Sequence, residues 1–293
     1  MPKTGTSRGA ATRVTPETWA ATRAALRDSG DRFADLVTSV PDPSVLATKH
    51  WSVAETAAHV TGIAWNYTGM VAEEDRPLPI PQVREHFPVT TVDTIHTGLN
   101  PAQLRGYQER DVERLAERLR GSIDEILDLT AGTDPHRVVP WLGSSRLPIA
   151  GVLAHMTNEL LIHGWDIAGA ARIPWHMPED QAALFFDVFL VEIIRHGYGH
   201  LLDDDRPVHR GRIAVEFRST HTVPVTFVLD DGVATAEEAG RDYDVRIRFR
   251  PSSMNMWLFH RIGTFRAALT GQLVPSGPRL WLLPAFLRKV RLP

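Results

Sequence analysis

Apolar positions recur at three- and four-residue intervals over most of the chain before Leu202, and alternate with polar ones over much of the remainder. The first pattern is that of helices with one buried face, the second that of half-buried strands. A first helix opens at Thr15-Pro16-Glu17, with a capping residue, proline at the first helical position and an early acid. It carries Trp19, Ala20, Leu26, Phe33, Leu36 and Val37 and stops at Pro41-Asp42-Pro43. A second starts at Ser52, where Ser52 and Glu55 have capping-box spacing, and runs to about Ala72. After a proline-rich loop from Pro77 to Pro88, a third is expected from Asn100-Pro101 through Leu104, Tyr107, Val112, Leu115, Leu119 and Ile126. Residues 131–147 read as a long loop holding Pro140-Trp141. A fourth helix follows from Ile149 to about Ala170, and a fifth from Pro178 to about Leu202. Loops longer than a bundle needs are often functional.

Beyond Asp203-Asp204-Asp205 the period changes. Ile213 to Arg218, Val223 to Leu229 and Val233 to Thr235 read as strands, with Asp231-Gly232 as a hairpin turn. In the next strand Val245, Ile247 and Phe249 alternate with Arg246, Arg248 and Arg250. Met254 to Phe259, Phe265 to Leu269 and Leu280 to Leu287 read as short helices or mixed segments. The expected fold class is therefore α plus α+β. An unstructured lead-in (1–14) precedes an antiparallel helical bundle (15–205), and a smaller α+β domain (206–293) follows.

Composition narrows the chemistry. The chain has 293 residues, 43% of them hydrophobic and 23% charged, with a net charge of -3. Nothing in that balance suggests a nucleic-acid partner. The total conceals an asymmetry: 14 basic and 7 acidic residues lie from Arg206 onward, against 18 and 28 before it. The asymmetry fits two domains that attract each other or share a cleft, and equally a basic solvated face. No apolar stretch reaches the ~18 residues of a membrane span. With no secretory signal visible, a cytoplasmic protein is expected, either a monomer or a homodimer. There is no cysteine, and there are 13 histidines. A transition metal would have to be held by imidazole and carboxylate.

The fourth helix supplies such groups. His155, Glu159 and His163 are spaced i, i+4, i+8 and share one helix face among apolar neighbours. Burying them without a partner costs several kcal/mol, roughly 2–7 per polar group, and a divalent metal removes that cost. A third ligand must come from another helix. His59 is the best placed, since Ala57 and Ala58 beside it permit close helix approach. The candidate ligands are thus His59, Glu159 and His163, a trio that leaves one coordination position open. Asp166 is placed to orient an imidazole from behind or to be an ordinary helix-face acid. His155 reads as a core residue before a ligand, His196 and His200 as capping or surface groups, and Trp51 and Trp165 as packing residues.

The segments Trp51-Ser52-Val53-Ala54-Glu55-Thr56-Ala57-Ala58-His59-Val60 and Glu159-Leu160-Leu161-Ile162-His163-Gly164-Trp165-Asp166-Ile167-Ala168 resemble the two metal motifs of the mycothiol-dependent maleylpyruvate isomerase family, a DinB-like metal-binding bundle. The region after 206 resembles the sterol-carrier-protein-like domain of many members. The resemblance implies zinc or another divalent metal on His59, Glu159 and His163. It also implies a small thiol cofactor, usually mycothiol, held as a thiolate, and an electrophilic or unsaturated substrate. The reaction would be cis–trans isomerisation or thiol transfer. Arg246, Arg248 and Arg250 are candidates for an anionic substrate group, with a solvated face as the alternative. Trp141 and Phe87 are candidate pocket residues. Two other functions fit the residues: a module binding a lipid or other apolar ligand, suggested by the apolar tail from Leu280 to Leu287, and a metal hydrolase with Glu55 or Asp166 as general base.

Overall fold

The computed structural model describes residues 9–73, 76–240 and 242–291, without the side chains of residues 264, 265 and 268. Four long helices form the first layer: α1 (Pro16–Ser39), α2 (Val53–Val71), α4 (Val112–Leu129) and α5 (Ile149–Ala171), with the short α3 (Leu99–Gly106) against α2. Around the bundle the order is α1, α4, α2, α5, because α1 and α2 each pack on both α4 and α5. Both expected N-terminal caps form. Thr15 and Ser52 accept from the third helical N–H, and the Thr18 and Glu55 side chains reach back.

The single third helix divides in two. Its chain leaves α3 at Tyr107, where the backbone turns extended, and restarts at Asp111, whose carboxylate caps α4. The expected loop at 131–147 contains a hairpin, β1 (Val138–Trp141) with β2 (Ser145–Pro148). The fifth helix ends earlier than its apolar run suggests, since Gly197 and Gly199 take positive φ of 108° and 52°.

That last helix joins the two lobes. It comprises α6 (Glu179–Leu184), a π-helical turn (Phe185–Leu190) and α7 (Val191–His196). The wider turn shifts the register, so Phe185 and Phe189 enter the bundle core while Phe186 and Val191 enter a second core under the sheet. The sheet has the order β5 (Val233–Glu238), β4 (Val225–Asp230), β3 (Arg212–Arg218), β6 (Val245–Phe249), β7 (Leu273–Ser276). Only the β3–β6 pair is parallel. Strand β7 lacks an alternating signature and escapes sequence reading. Three helices complete this lobe: α8 (Pro251–Leu258), α9 (Thr264–Leu269) and α10 (Leu283–Lys289).

Residues 1–8 of the expected lead-in lie outside the described residues. From Gly9 the chain follows the sheet edge: Gly9 bridges Glu237, and the Ala10 N–H donates to the Ala236 carbonyl at 2.9 Å. The charge asymmetry becomes contact. Arg250 pairs with Glu179 at 2.6 Å, Arg261 with Asp166 at 2.6 Å, and Arg291 with Asp93 and Asp204 at 2.6 and 3.1 Å. Among the described residues no helix is long and apolar enough to cross a membrane.

Candidate metal centre

Helix α5 is apolar nearly all round, and its polar residues are therefore conspicuous. His155, Glu159 and His163 follow one another at single-turn intervals, and Asp166 lies just beyond. Across from them α2 presents His59. The Glu159 Oε2 atom lies 3.5 Å from His163 Nε2 and 3.8 Å from His59 Nε2. Ligand atoms of His59, Glu159 and His163 all fall within 4.8 Å of one another, and all three residues are buried. Donors at about 2.0–2.1 Å from a tetrahedral zinc ion stand about 3.3 Å apart, so the spacing and the N,N,O donor set both fit such an ion.

Each donor is held from behind. Asp166 Oδ2 accepts from His163 Nδ1 at 3.0 Å and from Arg261 Nη2 at 2.6 Å, while Arg261 Nε donates to Oδ1 at 3.1 Å. The sheet lobe thus reaches a candidate ligand through one carboxylate. On the other helix, Gln103 donates from Nε2 to the His59 carbonyl at 2.7 Å. This approach requires Gly62, where a Cβ would stand 2.6 Å from that nitrogen. Trp51 packs on the His59 ring at 4.7 Å between centroids. His155 meets Glu159 Oε1 at 3.5 Å through Nε2, and its Nδ1 meets the Tyr67 hydroxyl at 3.0 Å. Trp141 Nε1 donates to that same hydroxyl at 3.0 Å. His155 therefore packs among aromatic rings yet also touches the carboxylate.

The electrostatics follow from burial. Desolvation, reinforced by His163, pushes the His59 imidazole down to about 3. Burial also works against charge on His163, but hydrogen bonds with Asp166 and Glu159 outweigh it and raise that imidazole to about 9. For Glu159 burial opposes ionisation, and the hydrogen bond from His163 with the charges of His155, His163 and His59 overcomes it, holding the carboxyl at about 2. One anion, one cation and one neutral imidazole share the space. A divalent ion would take the place of the proton on His163.

Other expected residues lie elsewhere. The Glu55 carboxylate accepts from the Ser52 N–H and hydroxyl at 2.9 and 3.0 Å, which commits it to the cap. Asp166 is committed to His163 and Arg261, so neither acid is free to act as a base. Arg246, Arg248 and Arg250 do not line the cavity beside the trio. Arg246 donates to Glu216 and lies over the Tyr243 ring, Arg248 is exposed, and Arg250 reaches Glu179. The alternation along β6 reports the sheet's outer face. His196 meets Glu192 and His200 meets Asp203, outside the site. Trp165, expected to pack, is 40% exposed at the cavity rim, whereas Trp51, Trp141 and Phe87 line the cavity. Gln103, Tyr67 and Arg261 are additions from the structure. Gln103 carries a faint signal as a buried amide on a short helix after the long loop. Arg261 belongs to no pattern.

The cavity measures about 920 Å³ and has the trio, His155 and Asp166 in its wall. Fold and site together define a helical-bundle protein with a buried three-residue candidate metal site that faces a cavity. Residues 22–168 match the family described as the mycothiol maleylpyruvate isomerase N-terminal domain, and the chain belongs to that family. The match contains His59, Glu159, His163 and Asp166. Two crystal structures, of the mycothiol-dependent maleylpyruvate isomerase and of a mutant of it, are similar with a TM-score of 0.50 each, at 14% and 13% identity. Each alignment covers 92% of this chain and 100% of the other. At that identity the likeness establishes the fold, bundle and sheet together. No curated protein matches the sequence.

Proposed function

We propose that the protein is a zinc-dependent enzyme that activates a small thiol, mycothiol before others, for attack on an electrophilic substrate, giving cis–trans isomerisation or thiol transfer. The observation that carries this reading is the buried trio His59, Glu159 and His163, which offers three donors and lines a cavity. Three protein ligands with one open position is the pattern of catalytic zinc. A divalent ion held there supplies Lewis acidity sufficient to keep a ligating thiol deprotonated at neutral pH. The absence of cysteine accords with sulfur arriving on a cofactor.

The chain's own residues do the rest. Asp166, locked by Arg261, fixes the His163 ring so that Nε2 faces the open space. Gln103 and Trp51 fix His59. The aromatic wall of Trp141, Phe185 and Phe189 lowers the polarity around the reacting groups, which strengthens charge interactions there. Tyr67 and His155, linked at 3.0 Å, form a pair able to pass a proton at the wall of the cavity. The test incubates zinc-loaded protein with a panel of electrophiles, with and without mycothiol, and reads products by mass spectrometry. Thiol-dependent isomerisation or adduct formation is expected, and it should be lost in His163→Ala. Equal turnover without thiol would overturn the reading in favour of a hydrolase.

A further inference from the structure

The cavity does not end at the trio. From His59, Glu159 and His163 it continues past Phe185 and Phe189 into the sheet lobe, where its wall includes Phe217, Phe227, Phe286, Leu287 and Val290. Its volume of about 920 Å³ lies at the upper end of small-molecule sites. Yet the far wing offers water nothing. Its walls are aliphatic and aromatic side chains of helices and strands whose backbone polar groups are largely taken up in their own ladders. Of the polar side chains beside these walls, Tyr198 has its hydroxyl engaged by the Ala234 N–H at 3.1 Å. The cavity's arginines are also engaged: Arg261 grips Asp166, and Arg291 grips Asp93 and Asp204. Lys49 and His50 stand on the exposed rim.

We propose that this wing binds the hydrocarbon arm of the substrate, so that the substrate is an electrophile carrying an extended apolar chain. Three features point the same way. An apolar void of this size forfeits packing unless a ligand fills it. A wing without free hydrogen-bonding groups selects against small charged molecules, which would lose their hydration there uncompensated. Its continuity with the trio places the far end of such an arm in the sheet lobe while the near end stands at the three donors. The arm's binding rests on the cavity alone, whereas its chemistry rests on the thiol reading above.

Two series of one length scale separate these parts. The saturated 1-alkanols from butanol to decanol, titrated into zinc-loaded protein by calorimetry, read arm binding without turnover. The expected affinity rises about three- to fourfold per added methylene, the gain for removing one methylene from water. Leu287→Trp and Val290→Trp, both half-buried wall positions outside the metal centre, fill the wing by two independent routes. In each, the gain for long chains should disappear while zinc content and butanol affinity persist. An affinity that stays flat from butanol to decanol, or a length dependence unchanged in both filled variants, overturns the proposal. The matching trans-2-alkenals with mycothiol then read the chemistry. Length-dependent consumption supports both readings. Length-dependent alkanol binding without any alkenal consumption keeps the wing as an apolar-ligand site and counts against the thiol reading alone.

Discussion

At the scale of single residues, the environment of each carboxylate decides its use. Asp166 is shared between His163 and Arg261, and it sits behind the donor set. Asp166→Asn removes one acceptor charge while leaving the trio in place, so zinc affinity should fall about 10- to 100-fold, measured by competition with a chelator. Unchanged affinity would show that Arg261 and Asp166 serve only to join the lobes. Asp187 is the opposite case. Burial raises its carboxyl to about 6, despite the Val223 N–H donated at 3.1 Å and the charge of Arg13 nearby. An acid raised in the folded state favours the protonated native form. Its penalty is absent below the unfolded value near 3.8 and complete above about 6. Asp187→Asn should therefore stabilise the protein by about 1–3 kcal/mol at about pH 7, with the gain vanishing near pH 4, as read by denaturant titration at both pH values.

At the scale of elements, the helix carrying His59 depends on its first turn. Ser52 and Glu55 exchange hydrogen bonds that satisfy otherwise orphaned N–H groups of α2. Ser52→Ala should lower stability by about 1 kcal/mol, without altering the candidate metal ligands, as measured by chemical denaturation. Elements governed by hydrophobic period are legible in the sequence. The 3.6-residue spacing exposed α5, and α1 and α2 with their caps, and the spacing along α5 already aligned Glu159 with His163. Elements set by backbone conformation stayed hidden. Tyr107 breaks one amphipathic run into two helices, and Gly197 ends another whose apolar pattern continues. The π-helical turn sends Phe185 and Phe186, neighbours in sequence, into different cores, and no hydrophobic period announces it.

At the scale of the whole molecule, two lobes of opposite charge close over one cavity, and the sequence foretold the charges but not their pairing. The cationic alternation of β6 suggested a contact for substrate. Its arginines instead bind Glu216 and Glu179 or face solvent, while Arg261, distant in sequence and isolated in pattern, reaches the site. Contacts between distant segments depend on topology, which periodicity does not carry. The folded protein also sets how metal binding responds to pH. His163, raised to about 9, must give up its proton, whereas His59 and Glu159 are already deprotonated at neutral pH. The apparent zinc affinity should therefore rise about tenfold per pH unit, or about 100-fold between pH 6 and pH 8, as followed by competition titration. A pH-independent affinity over that interval would place the ion elsewhere.

The most direct test of the central claim uses cobalt in place of zinc. Cobalt-loaded protein should take up about one ion per chain in a four-coordinate site with imidazole and carboxylate donors. Adding mycothiol should then produce a sulfur-to-cobalt charge-transfer band that saturates at about one equivalent and is absent in Glu159→Ala and His163→Ala. A cobalt spectrum that mycothiol leaves unchanged, or a band of equal strength in both variants, would contradict the assignment of His59, Glu159 and His163 as the site of thiol activation.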